Sequence, residues 1–147
     1  MDQTTASEQS TLAAGDLRVL VGRLRRKLRE QDDENDLTAS QMAVLGRVMQ
    51  DGPASTSDLA AAEHVRPQSM AATVGALEER GMVVRTPDPS DGRRQLVSLN
   101  AAGLAFVHVS RQAREGWLAR ALEKRYTDAE RAVIVEALAL LERLTQP

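Results

Sequence analysis

The chain has no cysteine, and that absence removes disulfides, thiol redox sensing, cysteine nucleophiles and thiolate metal sites together. Histidine is nearly as scarce: His64 and His108 are the only two, far apart and at no spacing that suits a metal. Three aromatics, Phe106, Trp117 and Tyr126, are too few to build stacking platforms for single-stranded nucleic acid. No apolar run approaches the length needed to cross a bilayer, and the opening "MDQTTASEQSTL" lacks the basic start and apolar stretch of a signal peptide. A cytoplasmic location with no membrane partner is therefore expected. An excess of basic charge is missing too: 19 Lys and Arg against 21 Asp and Glu leave a net charge of −2. Any nucleic-acid surface has to be a local patch on a near-neutral body. No Ser/His/Asp set, glycine-rich phosphate loop or metal-spaced histidine pair appears, so no catalytic residue, cofactor or metal is expected.

What is present is an ordinary globular composition. The 147 residues, 42% apolar and 27% charged, suffice for one domain with a real core. Residues 1–14 are polar and read as a disordered tail. From Asp16 to Arg29, Leu17, Leu20, Val21, Leu24 and Leu28 recur at steps of three and four, one apolar stripe on a helix. Its other face carries Arg18, Arg23, Arg25, Arg26, Lys27 and Arg29, which a solvated surface or phosphate contact would both explain. "EQDDEND" follows as an acidic loop. Thr38 with Gln41 forms a capping box for a second helix, stopped at Gly52-Pro53. A short third helix is capped at Ser55 or Thr56, and Arg66-Pro67 opens a fourth over residues 67–80, closed by Gly81 in the left-handed conformation. "MVVRT" and "QLVSL" read as two strands. Asn100 caps a long helix to about Arg125, and Thr127 with Glu130 makes a second capping box for the last.

Helix, turn, helix and hairpin in that order make the winged form of the helix-turn-helix. In the fourth helix Met70, Val74 and Leu77 share an inward face with Thr73 beside them. The opposite face presents Gln68, Ala72 and Gly75, flanked by Ser69 and Ala71. An exposed helix face is normally rich in Lys and Glu. One this small suits close entry into a major groove, with Gln68 reading adenine, Ser69 reaching a base or phosphate and Ala72 touching a thymine methyl. Packing against another protein element would suit it equally. The hairpin "TPDPSDGRRQLVSL" breaks the tie. Arg93 and Arg94 follow its turn, where no core can use them, and an arginine on a two-stranded finger can enter a narrow minor groove. Asp91, two residues away, is close enough to orient the Arg93 guanidinium, and Arg66 and Arg85 are placed at the edges for phosphate contacts.

The run from "STSDLAAAEH" to "LVSLNAAG" resembles the DNA-binding core of the MarR family of bacterial transcription regulators. It does so most specifically in "LEERGMV", "DPSDGRR" and "LVSLNAAG", and the helix order fits from about residue 12 onward. The resemblance implies a mainly α fold with a small β-hairpin wing (α+β). A winged helix-turn-helix would occupy residues 37–99, with recognition helix 67–80 and wing 83–99, and a helical dimerisation region residues 15–31 and 100–145. It implies a homodimer on a double-stranded, pseudo-palindromic operator, and a repressor released by a small aromatic or lipophilic effector. Asp91 and Arg93 match the family's wing aspartate–arginine pair, and Arg94 is an additional basic residue. No motif identifies the effector pocket. The residues support the dimer on their own account. The long helix carries Leu104, Val107, Leu118 and Leu122 in one direction and Phe106, Val109, Trp117 and Ala121 in another, more apolar surface than one small domain covers. Two-fold symmetry places half-sites about 10 base pairs apart. The competing reading is a winged-helix protein-interaction module without DNA binding, which the acidic net charge and the near-neutral helix face favour.

Overall fold

The computed structural model describes residues 6–31 and 36–147. The elements run α1 (Glu8–Glu30), α2 (Ala39–Asp51), β1 (Ala54–Ser55), α3 (Thr56–Ala62), α4 (Pro67–Glu79), β2 (Val83–Asp88), β3 (Asp91–Leu99), α5 (Ala101–Arg125) and α6 (Asp128–Glu142). This is a mainly helical fold with one small antiparallel sheet of strand order β1-β3-β2, as the sequence leads one to expect. The described residues fall into two compact units. One holds α2 to β3 and α5 as far as Arg111, and the other holds α1, the rest of α5 and α6.

In the first unit the caps form where the sequence places them. The Thr38 hydroxyl accepts from Gln41 N–H at 3.2 Å while Gln41 Oε1 accepts from Thr38 N–H at 3.0 Å. Ser55 Oγ accepts from Asp58 N–H at 3.1 Å to start α3. Pro67 at the first position of α4 has no N–H to leave unsatisfied. Gly81, at φ +70°, closes α4 with the paired bonds Gly81 N–H to Glu78 O (2.9 Å) and Met82 N–H to Leu77 O (3.0 Å). Leu45, Leu59, Val74, Leu77, Val83 and Val97 are fully buried, one or more from each of α2, α3, α4, β2 and β3. The core therefore fixes the helix pair against the sheet.

Three features depart from expectation. The tail assigned to residues 1–14 is not all outside the helix. Residues 1–5 lie outside the described residues, but α1 starts at Glu8, with Ser7 Oγ accepting from Ser10 N–H at 3.1 Å. An N-cap needs only a serine hydroxyl and a free amide, so the apolar stripe need not have begun. Residues 32–35 of the expected acidic loop lie outside the described residues, while Glu30 belongs to α1. The boundary drawn at residue 100 also shifts. The first turns of α5 belong with the winged unit, burying Gly103, Val107 and Ser110, with Phe106 packed on the core. Asn100 fastens that start. Its Oδ1 accepts from Gly103 N–H at 2.8 Å, its backbone N–H donates to Met82 O at 3.1 Å, and its Nδ2 donates to Gly81 O.

His64 is the only described residue other than glycine with positive φ, at +54°. It sits in the turn between α3 and α4, where Val65 N–H reaches Ala60 O at 3.0 Å, the same closure that Gly81 gives α4. A side chain in the left-handed region is strained where glycine is not. His64→Gly is therefore expected to stabilise the protein by about 0.5 kcal/mol, after glycine's larger unfolded-state entropy is subtracted. A melting temperature unchanged or lower by calorimetry would contradict this.

In the second unit Arg131 of α6 closes the end of α5. Its Nη1 donates to Tyr126 O at 2.7 Å and to Leu122 O and Glu123 O at 3.4 Å, carbonyls at and just past the C-terminus of α5. Thr127 and Glu130 form the second capping box, as the sequence predicts. Neither α1 nor α6 has a buried residue. Leu20, Val133, Leu138 and Leu144 are each about 60–75% exposed in the single chain. No helix among the described residues is long and apolar enough to cross a membrane.

Candidate nucleic-acid interface

The outward face of α4 is small and uncharged. Gln68, Ser69, Ala71 and Ala72 are exposed, Gly75 is half-buried, and Met70, Val74 and Leu77 face the core. Thr73 returns its hydroxyl to Ser69 O at 3.0 Å and so withdraws its own polar group from that face. Arg66 is exposed as the N-cap residue of α4. The face expected from the periodicity is thus formed.

The wing differs in detail from its sequence reading. Only Pro89 and Ser90 lie between β2 and β3, because the strands pair as far as Asp88 opposite Asp91, with an irregularity between Pro87 and Asp88. Asp88 clasps this turn: its Oδ1 accepts from Ser90 N–H at 2.9 Å and from the Ser90 hydroxyl at 2.7 Å. Those bonds hold the Asp88 carboxyl below its ordinary value of 3.8. A depressed carboxyl stabilises the fold above the unfolded value of 3.8 and loses that contribution as pH falls through the lower folded value. Arg93 and Arg94 consequently stand on β3, past the turn and not at its tip. Asp91 does meet Arg93, but through the backbone: its Oδ1 accepts from Arg93 N–H at 3.1 Å. It shapes the strand start instead of steering the guanidinium, which has no hydrogen-bond or ion-pair partner among the described residues. Asp91, Arg93 and Arg94 are all exposed.

Arg94 is not free. Its Nη2 donates to Ser55 Oγ at 2.9 Å and to Asp58 Oδ2 at 2.5 Å. The Asp58 carboxyl is held below its ordinary value by the Ser55 hydroxyl first and the Arg94 charge after it. Arg85, on β2, has its Nε 3.3 Å from Glu78 Oε2 of α4. That Nε–H is buried and has no hydrogen-bond partner, so the contact is coulombic, and the terminal nitrogens make no bond among the described residues. Arg85, Arg93, Arg94 and Gln95 line one wall of an open groove of about 560 Å³, with Ser55, Thr56, Ser57 and Asp58 opposite. Within this groove Arg94 is bonded to Ser55 and Asp58, which leaves Arg85 and Arg93 as the cations suited to phosphate and sugar oxygens. Among the described residues no cluster of His, Asp or Glu could hold a metal.

The MarR family model matches residues 37–94, from the start of α2 into β3. An HTH-type transcriptional regulator of Mycobacterium tuberculosis is 38% identical over 109 residues, 74% of this chain and 76% of that protein. The chain belongs to the MarR family. It is a transcriptional regulator of that family. Solved structures agree with the fold of this MarR-family chain. A putative transcriptional regulator from Pseudomonas aeruginosa is 36% identical, with TM-score 0.82 over 97% of this chain and 99% of its own. A mutant MarR from E. coli is 27% identical, with TM-score 0.75 over 90% and 96%.

Sequence reasoning missed the α3 side of the groove. Ser55 and Asp58 were legible as a cap and its third residue, but nothing local links them to Arg94, 36 or more positions away. β1 was missed for the same reason. Two residues carry no period, and only their register with Val97 and Leu96 makes them a strand.

Proposed function

We propose that this MarR-family chain is a sequence-specific binder of double-stranded DNA, acting as a homodimeric repressor on a pseudo-palindromic operator. The observation that carries the reading is the pairing of a small uncharged α4 face with Arg93 on the adjacent wing, whose guanidinium has no partner among the described residues. A helix without large side chains can sit deep in a major groove, where Gln68, Ser69 and Ala72 meet base edges. The wing then supplies Arg93 to the neighbouring minor groove, where the negative potential of a narrow groove favours a guanidinium. Arg66 and the free terminal nitrogens of Arg85 serve phosphates. Apolar side chains left open on α1 and α6 support a two-fold partner, since surfaces of that kind mark interaction sites. A small aromatic or lipophilic effector would release DNA only by favouring a conformation with the wrong recognition-helix spacing.

Selection of bound duplexes from fragmented host DNA tests the reading. A palindromic consensus with half-sites about 10 base pairs apart is the expected result. Absence of any enriched duplex, or a solution mass of one 16.0 kDa subunit, would overturn it. Gly75→Ala gives a second check, because its two effects have opposite signs. A Cβ there meets nothing within 4 Å. Alanine in a helix interior should stabilise the fold by about 0.5–1 kcal/mol. The same methyl thickens the face that enters the groove, so operator affinity should fall while the melting temperature rises. Unchanged affinity would favour the protein-interaction module.

A further inference from the structure

β3 carries two adjacent arginines that the structure treats differently. Arg93 has a bonded backbone and a free guanidinium, whereas Arg94 spends its guanidinium on Ser55 and Asp58. Ser55 ends β1, which pairs with β3, and also caps α3. The Arg94 bonds therefore cross from the outer part of the wing to the junction where the helix-turn-helix begins. We propose that Arg94 is a positioning residue, which ties the wing to the start of α3 and so sets the angle at which Arg93 is presented, and is not itself a DNA contact. This rests on the DNA-binding reading above.

Charge and geometry both support it. Asp58 neutralises Arg94 at 2.5 Å, so the pair as a whole attracts a phosphate weakly. One nitrogen of the fork is shared between a hydroxyl and a carboxylate, which fixes the plane of the guanidinium. A hairpin that protrudes beyond its sheet has little else to hold its outer half. From Arg93 to Gln95 the strand is exposed, and burial begins only at Leu96 and Val97. Cutting a wing loose costs affinity through the freedom lost on binding, without removing any contact to DNA.

The two roles predict opposite results at Asp58. If Arg94 only positions the wing, Asp58→Asn and Arg94→Gln each weaken binding to the tightest duplex recovered by selection by about two- to fivefold, the range for an exposed ion pair. The double variant is then no weaker than either single, and the slope of log affinity against log salt stays at the wild-type value. If Arg94 grips a phosphate, Asp58→Asn frees it and tightens binding, and Arg94→Gln flattens the slope by about one unit. Either result, or no change in both single variants, overturns the proposal. Should Asp58→Asn fail to fold, the slope measured for Arg94→Gln decides alone. If the wild-type protein binds no duplex at all, the DNA-binding reading has failed. The tie is then judged by amide exchange in residues 91–95, which quickens in Arg94→Gln if the tie exists and is unchanged if it does not.

Discussion

Gly103→Ala is expected to lower stability by about 2 kcal/mol, and the melting temperature by about 4–8 °C, although alanine is the better helix former. A Cβ built on Gly103 overlaps the Met82 carbonyl oxygen and comes within 3.0 Å of its carbon. Both are backbone atoms, so no side chain can rotate away. Forcing such an overlap costs about 3 kcal/mol, against about 1 kcal/mol recovered from helix propensity. Relief requires α5 to lift from the start of β2. That movement strains the Asn100 bonds to Met82 and Gly81 and uncovers Val83 and Val107, which are nearly fully buried. Calorimetry on Gly103→Ala beside Gly46→Ala makes the test internal, because Gly46 is also helical but has nothing within 4 Å of the added carbon. Equal melting temperatures for the two variants would contradict the close approach.

Arg93→Ala is expected to cost about 1–3 kcal/mol of operator affinity, roughly 5- to 150-fold, with the fold untouched. Its guanidinium has no partner among the described residues, so no bond among them is lost on truncation, and the bond from Arg93 N–H to Asp91 uses backbone that alanine retains. The loss should be concentrated where the wing meets a narrow A·T-rich minor groove, and should shrink on duplexes with G·C pairs at those positions. Arg85 offers the contrast. Its substitution should weaken all sequences alike and reduce the salt slope by about one. Gel shifts across matched duplexes separate the two, and an Arg93→Ala protein of wild-type affinity would remove the wing from the interface.

Local rules reached most of this fold because its punctuation is strong. Thr38, Ser55, Thr127 and Asn100 are caps whose partners lie three residues away, and Gly81 closes a helix by itself. The inward face of α4 followed from spacing alone. What escaped depends on distant pairs. The strands read as "MVVRT" and "QLVSL" leave residues 87–94 between them, yet cross-strand pairing carries β2 and β3 to within two residues of each other. Arg94 looked free because the sequence offers no cue that Asp58 lies opposite it. That His64 stands at positive φ is visible only in the backbone.

Of the three arginines along the groove, two stand beside carboxylates, Glu78 and Asp58, and one stands alone. On the DNA-binding reading proposed above, a groove whose cations are so escorted is expected to hold random chromosomal sequence weakly, since non-specific affinity comes almost wholly from unshielded cations. Few copies would then be tied up on the bulk genome, and occupancy of a target would answer quickly when the pool changes.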